Sequence, residues 1–143
     1  MTAQTIYNLM LGEDEDLERR VIRQLVEQQL PNIRLVGTAA TTTELLIWMH
    51  QKQAQLVVLD SHLPGMPLVT TLNLLLSHHP HLKVILLADY DEERLMENCL
   101  RFGAFAYLIR PVSPARIRHV LSMAAHMLGT LAEEGRESGS GTS

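Results

Sequence analysis

The stretch "LVVLDSHLPGM", Leu56–Met66, is the most informative segment of the sequence. Four apolar residues lead directly into Asp60, and the chain then turns through Pro64-Gly65. An ionised carboxylate that leaves water must find a partner, because its burial is otherwise unfavourable. Asp60 is therefore either a cap at an ordinary loop or a carboxylate held at the end of a buried strand to do chemistry.

Similar short apolar runs recur along the chain and alternate with longer amphipathic segments. Strands are predicted at residues 6–11, 33–37, 55–60, 82–88 and 104–109. The third run is apolar on both faces, as is typical of a parallel strand covered by helices on each side. A helical pattern follows each run, so the alternation predicts a doubly wound α/β fold with a five-stranded parallel sheet, right-handed crossovers and five helices.

Proline and polar residues mark the starts of three of these helices. The signals are Pro67 at a first helical position, Asp89 with Glu92 as a capping box, and Ser113-Pro114 as an N-cap and first-turn pair. From Gly129 onward the composition becomes that of a flexible segment. We therefore expect one domain over residues 1–128 and a flexible linker or tail over residues 129–143.

The composition is that of a globular protein. Hydrophobic residues make up 46% and charged residues 20% of the 143 positions. The net charge of −4 argues against direct nucleic-acid contact. The single cysteine, Cys99, excludes an internal disulfide and favours a reduced compartment. Because the first residues do not resemble a secretory signal and no apolar run is long enough to span a bilayer, we expect a cytoplasmic protein without membrane contact.

Carboxylates follow the first and third predicted strands. In an open parallel sheet, ligands bind beyond the carboxyl ends of the strands, where the strand order reverses. If these two strands are neighbours, Glu13, Asp14 and Asp60 converge on one site. Oxygen ligands with room for water suit Mg²⁺, and without a metal at least one of the three carboxyls should have a raised pKa. Glu15 and Asp16 are interpreted as charges favoured at a helix N-terminus.

Three segments at their joint spacing make the chain resemble the receiver domain of two-component response regulators. They are "GEDE" (12–15), "LDSHLPGM" (59–66) and "GAFAYLIRPV" (103–112). The resemblance covers roughly residues 5 to 128, and it implies a flavodoxin-like sheet with the strand order 2-1-3-4-5. The acidic cluster after the first strand favours the interpretation of Asp60 as a site residue over that of a simple loop cap.

The resemblance implies a role for each acidic residue. Asp60 would be the phosphoacceptor, which takes a phosphoryl group from a phosphorylated histidine of a sensor histidine kinase. Glu13 and Asp14 would hold Mg²⁺ together with Asp60 and the backbone carbonyl of His62. The protein would then be a signalling domain and not an enzyme, and it would relay a conformational change to an output domain or partner.

Strands 4 and 5 carry the positions where the sequence departs from the family. Ala88 stands where the family has a Thr or Ser that contacts the phosphoryl group, and Arg110 stands where it has a Lys. Tyr107 falls at the position of the family's switch aromatic, and Arg110–Pro111 at that of its cis peptide. Since alanine cannot donate a hydrogen bond, we expect Mg²⁺ binding and phosphorylation to persist while the conformational response is weak, altered or constitutive.

Two other functions remain as alternatives. The first is a phosphorylation-independent pseudo-receiver that acts as a protein-interaction or dimerisation module. The second is an enzyme or cofactor carrier on the same fold, which the sequence disfavours because it has no G-x-G-x-x-G motif and because "GEDED" would repel a phosphate.

The last predicted helix bears on possible partners. Its apolar positions are Ile117, Leu121, Ala124, Leu128 and Leu131. We expect the first two turns to pack on the sheet, whereas Leu128 and Leu131 are better placed to meet a partner. The expected partners are a homodimer through helix 4, strand 5 and helix 5, and a C-terminal output domain, for example a DNA-binding one, that is not part of this chain.

Overall fold

Strands and helices alternate along the part of the chain that the structure, a computed structural model, describes: residues 5–140, with side chains through residue 133. The strands are β1 (Tyr7–Gly12), β2 (Ile33–Ala39), β3 (Leu56–Asp60), β4 (Lys83–Ala88) and β5 (Ala106–Ile109). The helices are α1 (Asp16–Gln29), α2 (Thr42–Gln51), α3 (Leu68–His78), α4 (Glu93–Arg101) and α5 (Pro114–Ser140). A single 3₁₀ turn, Tyr90–Glu92, precedes α4.

All strand pairs in the sheet are parallel, and the order is β2-β1-β3-β4-β5. The predicted doubly wound fold and its strand order are therefore confirmed. The register pairs Gly12 of β1 with Leu59 of β3, and Asp60 with Leu87 of β4. These pairings bring the carboxyl ends of the three central strands to the same edge, where residues after β1 and β3 meet.

Two hydrophobic layers cover the sheet. Leu56 and Val58 of β3 belong to the layer that includes α1 and α5, while Val57 and Leu59 belong to the layer of α2, α3 and α4. All five residues of β3 are buried, because successive side chains enter opposite layers. Asp60 thus stands at the end of a strand that the two layers hold rigidly.

The predicted starts of α3 and α5 agree with the structure to within one residue. The capping box of Asp89 and Glu92 is confirmed, although it begins the 3₁₀ turn and not α4 itself. Pro67 is the N-cap of α3 and not its first helical residue, so that prediction was wrong by one position. Strand β5 begins at Ala106, two residues later than predicted.

Helix α5 is longer than the sequence suggested. It continues through Gly129 to Ser140, so it crosses the predicted domain boundary at residue 128. Gly129, Gly135 and Gly139 weaken this helix by only about 1 kcal/mol each, and no proline follows Gly129 to end it. The boundary stays a prediction, and residues 1–4 and 141–143 lie outside the described part. No helix within residues 5–140 is both long and apolar enough to cross a membrane.

The loop after β3 is attached to the start of α2. Thr42 donates its backbone N–H to the Pro64 carbonyl at 2.9 Å, and its Oγ1 accepts the backbone N–H of Met66 at 2.8 Å. Gly65 lies between them with a φ of +122°, and a Cβ there would overlap Thr42 Oγ1. Only glycine fits this position without displacing the helix or the loop.

Candidate functional site: an acidic pocket at the carboxyl edge of the sheet

The structure brings the three predicted carboxylates together. Glu13 directly follows β1, and its backbone N–H donates to the Ala39 carbonyl at 3.0 Å, which fixes the residue beside the sheet. One oxygen each of Glu13, Asp14 and Asp60 lies within 4.8 Å of the others. Glu13 is only 1% exposed and Asp60 6%, whereas Asp14 faces solvent. The pocket thus has a buried inner wall and an open outer side.

This donor set fits Mg²⁺. Carboxylate oxygens are the ligands that Mg²⁺ prefers, and the exposed position of Asp14 leaves one side of the pocket open to water. The backbone N–H of His62 donates to Asp60 Oδ1 at 3.0 Å, so His62 also lies at the pocket. The use of its carbonyl as a metal ligand stays a prediction.

Glu13 has a strongly perturbed acidity. Its pKa is raised to about 8, mainly by burial and further by the nearby charges of Asp60 and Glu18, although a hydrogen bond from the Glu15 backbone N–H (3.1 Å) opposes the shift. The expectation of a raised pKa among the three carboxyls is confirmed. Its main cause is the loss of water around Glu13 and not charge repulsion alone.

Arg110 reaches the pocket from the end of β5. Its Nη2 lies 3.0 Å from Asp60 Oδ1 and 3.4 Å from Glu13 Oε2. Glu18 of α1 holds the same guanidinium from the side, with Nε–Oε2 at 3.1 Å and Nη2–Oε1 at 2.9 Å. Nη1 is 3.6 Å from Asp89 Oδ1. A single planar cation therefore contacts four carboxylates.

The electrostatics of Arg110 follow from these contacts. Burial lowers its pKa, but the hydrogen bond to Glu18 and the charge of Asp60 raise it by more, so the net direction is upward. Glu18 is a site residue that the sequence analysis missed. It is separated from Arg110 by 92 positions, and in the sequence it resembles any acidic residue in the first turn of a helix.

The half of the pocket at β4 and β5 lacks a hydroxyl. Ala88 ends β4 and is fully buried, and its carbonyl accepts the backbone N–H of Arg110 at 2.8 Å. Tyr107 is half-buried on β5 opposite Leu86 and packs against the layer of α2, α3 and α4. Its role as a switch stays a prediction. The Arg110–Pro111 peptide bond is cis in the structure.

A second group of polar residues lies beside the pocket and consists of Ser61, His62, Asp89 and Glu92. Only the capping box of Asp89 and Glu92 was predicted from the sequence. Ser61 Oγ donates to Glu92 Oε1 at 2.8 Å, and His62 Nε2 lies 3.1 Å from both Glu92 Oε1 and Asp89 Oδ2. The ligand atoms of His62, Asp89 and Glu92 are close enough together for a metal ion, but hydrogen bonds already engage them. The group joins the loop after β3 to the turn that precedes α4.

The comparison with protein families agrees with this geometry. The model of the response regulator receiver domain matches residues 9–122, which include the acidic pocket and both departures from the family pattern. The chain belongs to this family. A receiver domain is a signalling domain of two-component response regulators.

Curated relatives carry response-regulator names. The transcriptional regulatory protein CitT of Bacillus subtilis is 27% identical over 117 residues, which are 80% of this chain and 50% of that protein. The response regulator UvrY of Escherichia coli K12 is 24% identical over 131 residues, 89% of this chain and 60% of that protein. This receiver chain thus spans about half to three fifths of the length of these relatives.

Solved receiver structures share the fold. The REC domain of AraT from Geobacillus stearothermophilus has a TM-score of 0.80 at 21% identity, with 90% of this chain and 99% of that chain covered. The isolated REC domain of RcsB from Salmonella enterica, solved with the phosphomimetic BeF3-, has a TM-score of 0.77 at 19% identity, with 82% and 87% covered. At such identities the likeness concerns the fold alone.

Proposed function

We propose that this receiver accepts a phosphoryl group on Asp60 from a phosphorylated histidine of a sensor histidine kinase, in the cytoplasm. The observation that supports this function best is the convergence of Asp60 with Glu13 and Asp14 at the carboxyl edge of the sheet. Asp60 is buried at the end of a rigid strand, yet its Oδ1 faces an open pocket that also holds the cation of Arg110.

The chemistry is an in-line displacement at phosphorus. A carboxylate oxygen of Asp60 forms the new P–O bond while the P–N bond to the histidine breaks, and the electron pair of that bond stays on the ring nitrogen. Mg²⁺ held by Glu13, Asp14 and Asp60, with the His62 carbonyl as a further ligand, would neutralise negative charge on the phosphoryl oxygens. The rigid strand keeps Asp60 in position for attack.

Arg110 can supply a positive charge to the phosphoryl group. Its Nη2 already lies 3.0 Å from Asp60 Oδ1, which is within reach of a group bonded to that carboxylate. The guanidinium is also engaged by Glu18, whereas a lysine ammonium would be a freer point charge. We therefore expect Arg110 to orient the phosphoryl group through one N–H while Glu18 holds the other side.

The receiver would act on a partner or an attached domain. The matched segments are 50% of CitT and 60% of UvrY, which supports a C-terminal output domain, for example a DNA-binding one. Leu100 of α4 and Phe102 are exposed, and this supports a homodimer through α4, β5 and α5. The methyl group of Ala88 cannot donate a hydrogen bond to a phosphoryl group. This supports a conformational response that differs from that of a receiver with a hydroxyl at this position.

The first experiment tests the phosphoacceptor. The purified chain is incubated with Mg²⁺ and phosphoramidate or acetyl phosphate, and its intact mass is measured. We expect one phosphoryl adduct on the original chain, none on Asp60→Asn, and an unchanged adduct on Asp91→Asn, which removes an exposed carboxylate outside the pocket. A folded but unmodified chain would contradict the proposal and would favour the phosphorylation-independent pseudo-receiver.

A further inference from the structure

Glu92 connects the loop after β3 with the turn that precedes α4. Its Oε1 accepts hydrogen bonds from Ser61 Oγ–H at 2.8 Å and from the Asp89 backbone N–H at 2.9 Å, and it lies 3.1 Å from His62 Nε2. Ser61 and Glu92 are separated by 31 positions in the chain. The Glu92 side chain is only 14% exposed, so its hydrogen bond with Ser61 is partly shielded from water, whereas His62 is 59% exposed.

The two donors from the loop after β3 are the immediate neighbours of the phosphoacceptor. His62 donates its backbone N–H to Asp60 Oδ1 at 3.0 Å, and Ser61 donates its backbone N–H to the Leu87 carbonyl at 2.8 Å. A new substituent on a carboxylate oxygen of Asp60 changes what His62 N–H can bond to. The positions of residues 61 and 62 therefore depend on the chemical state of Asp60.

Arg110 provides a second connection between the same points. Nη2 contacts Asp60 Oδ1 at 3.0 Å while Nη1 lies 3.6 Å from Asp89 Oδ1. Asp89 is also 3.1 Å from His62 Nε2 through its other carboxylate oxygen. If the guanidinium turns toward a phosphoryl group, the pairing on Asp89 changes with it. Both connections end at the turn that leads into α4.

We propose that the Ser61–Glu92 hydrogen bond, together with His62 against Asp89 and Glu92, couples Asp60 to the start of α4. The coupling takes the place of the hydroxyl that Ala88 lacks, and it rests on the proposed phosphorylation of Asp60. Glu92 immediately precedes α4, so a displacement of its carboxylate acts on the first turn of that helix. Ser61 is a positioning residue in this arrangement, because it acts through Glu92.

Amide NMR shifts on addition of Mg²⁺ and beryllofluoride, a mimic of the phosphoryl group, test the coupling. Two sets of amides are followed in the 143-residue chain: residues 61–63 report occupation of the pocket, and Glu93–Arg101 report the response of α4. The variants are Ser61→Ala, which removes one oxygen, Ser61→Thr, which keeps a hydroxyl, and Ser77→Ala, which removes the same oxygen from the exposed end of α3.

We expect beryllofluoride at saturation to shift both sets in the original chain and in Ser77→Ala. In Ser61→Ala the shifts of residues 61–63 should remain, while those of α4 fall to less than half, and Ser61→Thr should restore most of the loss. When Glu92 is already replaced by alanine, Ser61→Ala should not reduce the amide shifts of α4 any further, because the Ser61–Glu92 hydrogen bond is then already absent.

The outcomes separate the coupling from the proposed function. Full α4 shifts in Ser61→Ala, or α4 shifts that are absent from the original chain although residues 61–63 respond, would overturn the coupling and leave Asp60 as the acceptor. If residues 61–63 do not respond in any variant and no phosphoryl adduct forms, the proposed function fails and the coupling fails with it.

Discussion

The half of the pocket made by the ends of β1 and β3 differs sharply from the half made by the ends of β4 and β5. The first half keeps three carboxylates of the receiver pattern within 4.8 Å of one another. The second half presents the methyl group of Ala88 and the guanidinium of Arg110 in place of a hydroxyl and an ammonium. Both halves lie on the same rigid sheet, so the difference is one of side-chain chemistry and not of fold.

The two halves would serve different requirements of a receiver pocket. Under the proposed function, cation binding and nucleophilic attack would depend on the carboxylate oxygens of Glu13, Asp14 and Asp60. Contact with the phosphoryl group and the response to it would depend on hydrogen-bond donors, which Arg110 and the loop after β3 would supply. The first half would then keep the family's chemistry while the second half responds by other contacts.

Among these positions, Gly65, which lies where the loop after β3 is attached to α2, should be the one where a substitution lowers the free energy of unfolding most. Gly65→Ala places a Cβ against Thr42 Oγ1 at a φ of +122°, so we expect the free energy of unfolding to fall by about 3 kcal/mol. Gly129→Ala is the matched control, because its Cβ would meet Tyr7 Oη at an ordinary 3.4 Å within a helix and should stabilise by about 0.5–1 kcal/mol. Urea unfolding measures both, and equal effects would contradict the role of Gly65.

The burial of Glu13 should make stability depend on pH. In the unfolded chain the carboxyl loses its proton near pH 4.5, whereas in the fold it keeps the proton until about pH 8. Without divalent ions, the stability contributed by this group should therefore fall by about 2–4 kcal/mol as pH rises between these values. Urea unfolding from pH 5 to 8 should show a flatter profile for Glu13→Gln, while Glu27→Gln on the exposed face of α1 should follow the original chain.

Restoring the missing hydroxyl should make the second half more like the family pattern. Ala88→Thr adds one donor toward the phosphoryl position, so we expect the affinity for beryllofluoride in Mg²⁺ to rise about tenfold. Ala88→Val has the same shape without the hydroxyl and separates hydrogen bonding from packing in this buried position. Isothermal titration calorimetry of the original chain, Ala88→Thr and Ala88→Val measures the affinity for beryllofluoride. An equal gain in affinity in both variants would show that the shape of the side chain, and not its hydroxyl, is responsible.

The smallest effect should come from Arg110→Lys. One ammonium cannot hold Glu18 through two bonds and still reach Asp60, so the free energy of unfolding should fall by about 1 kcal/mol, with partial exposure limiting the loss. The loss should shrink when Glu18 is already Gln. Arg118→Lys, on an exposed arginine that bonds Gln29, is the control, and an equal loss there in urea unfolding would argue against a special role for the Glu18–Arg110 pair.

The sequence predicted those features that depend on one segment at a time. Apolar runs located each strand to within two residues, and the run into Asp60 identified the edge where the carboxylates meet. The contacts of Arg110 with Glu18 and of Ser61 with Glu92 could not be predicted, because each depends on how side chains from two separate elements are aimed at one another across the sheet edge. The composition after Gly129 predicted a flexible segment, but the glycines of this stretch do not end α5, which continues to Ser140.

The attachment of Gly65 to α2 makes the loop after β3 unequally stiff along its length. At one end, Pro64, Gly65 and Met66 are fixed on Thr42 by two hydrogen bonds and by the lack of room for a Cβ. At the other end, the backbone N–H groups of Ser61 and His62 bond to Leu87 and Asp60, while their contacts with Glu92 and Asp89 are made by side chains, which can rotate. The loop is thus fixed to α2 through its backbone but joined to the turn before α4 through side chains only, so the second attachment is the one that can change without unfolding the loop.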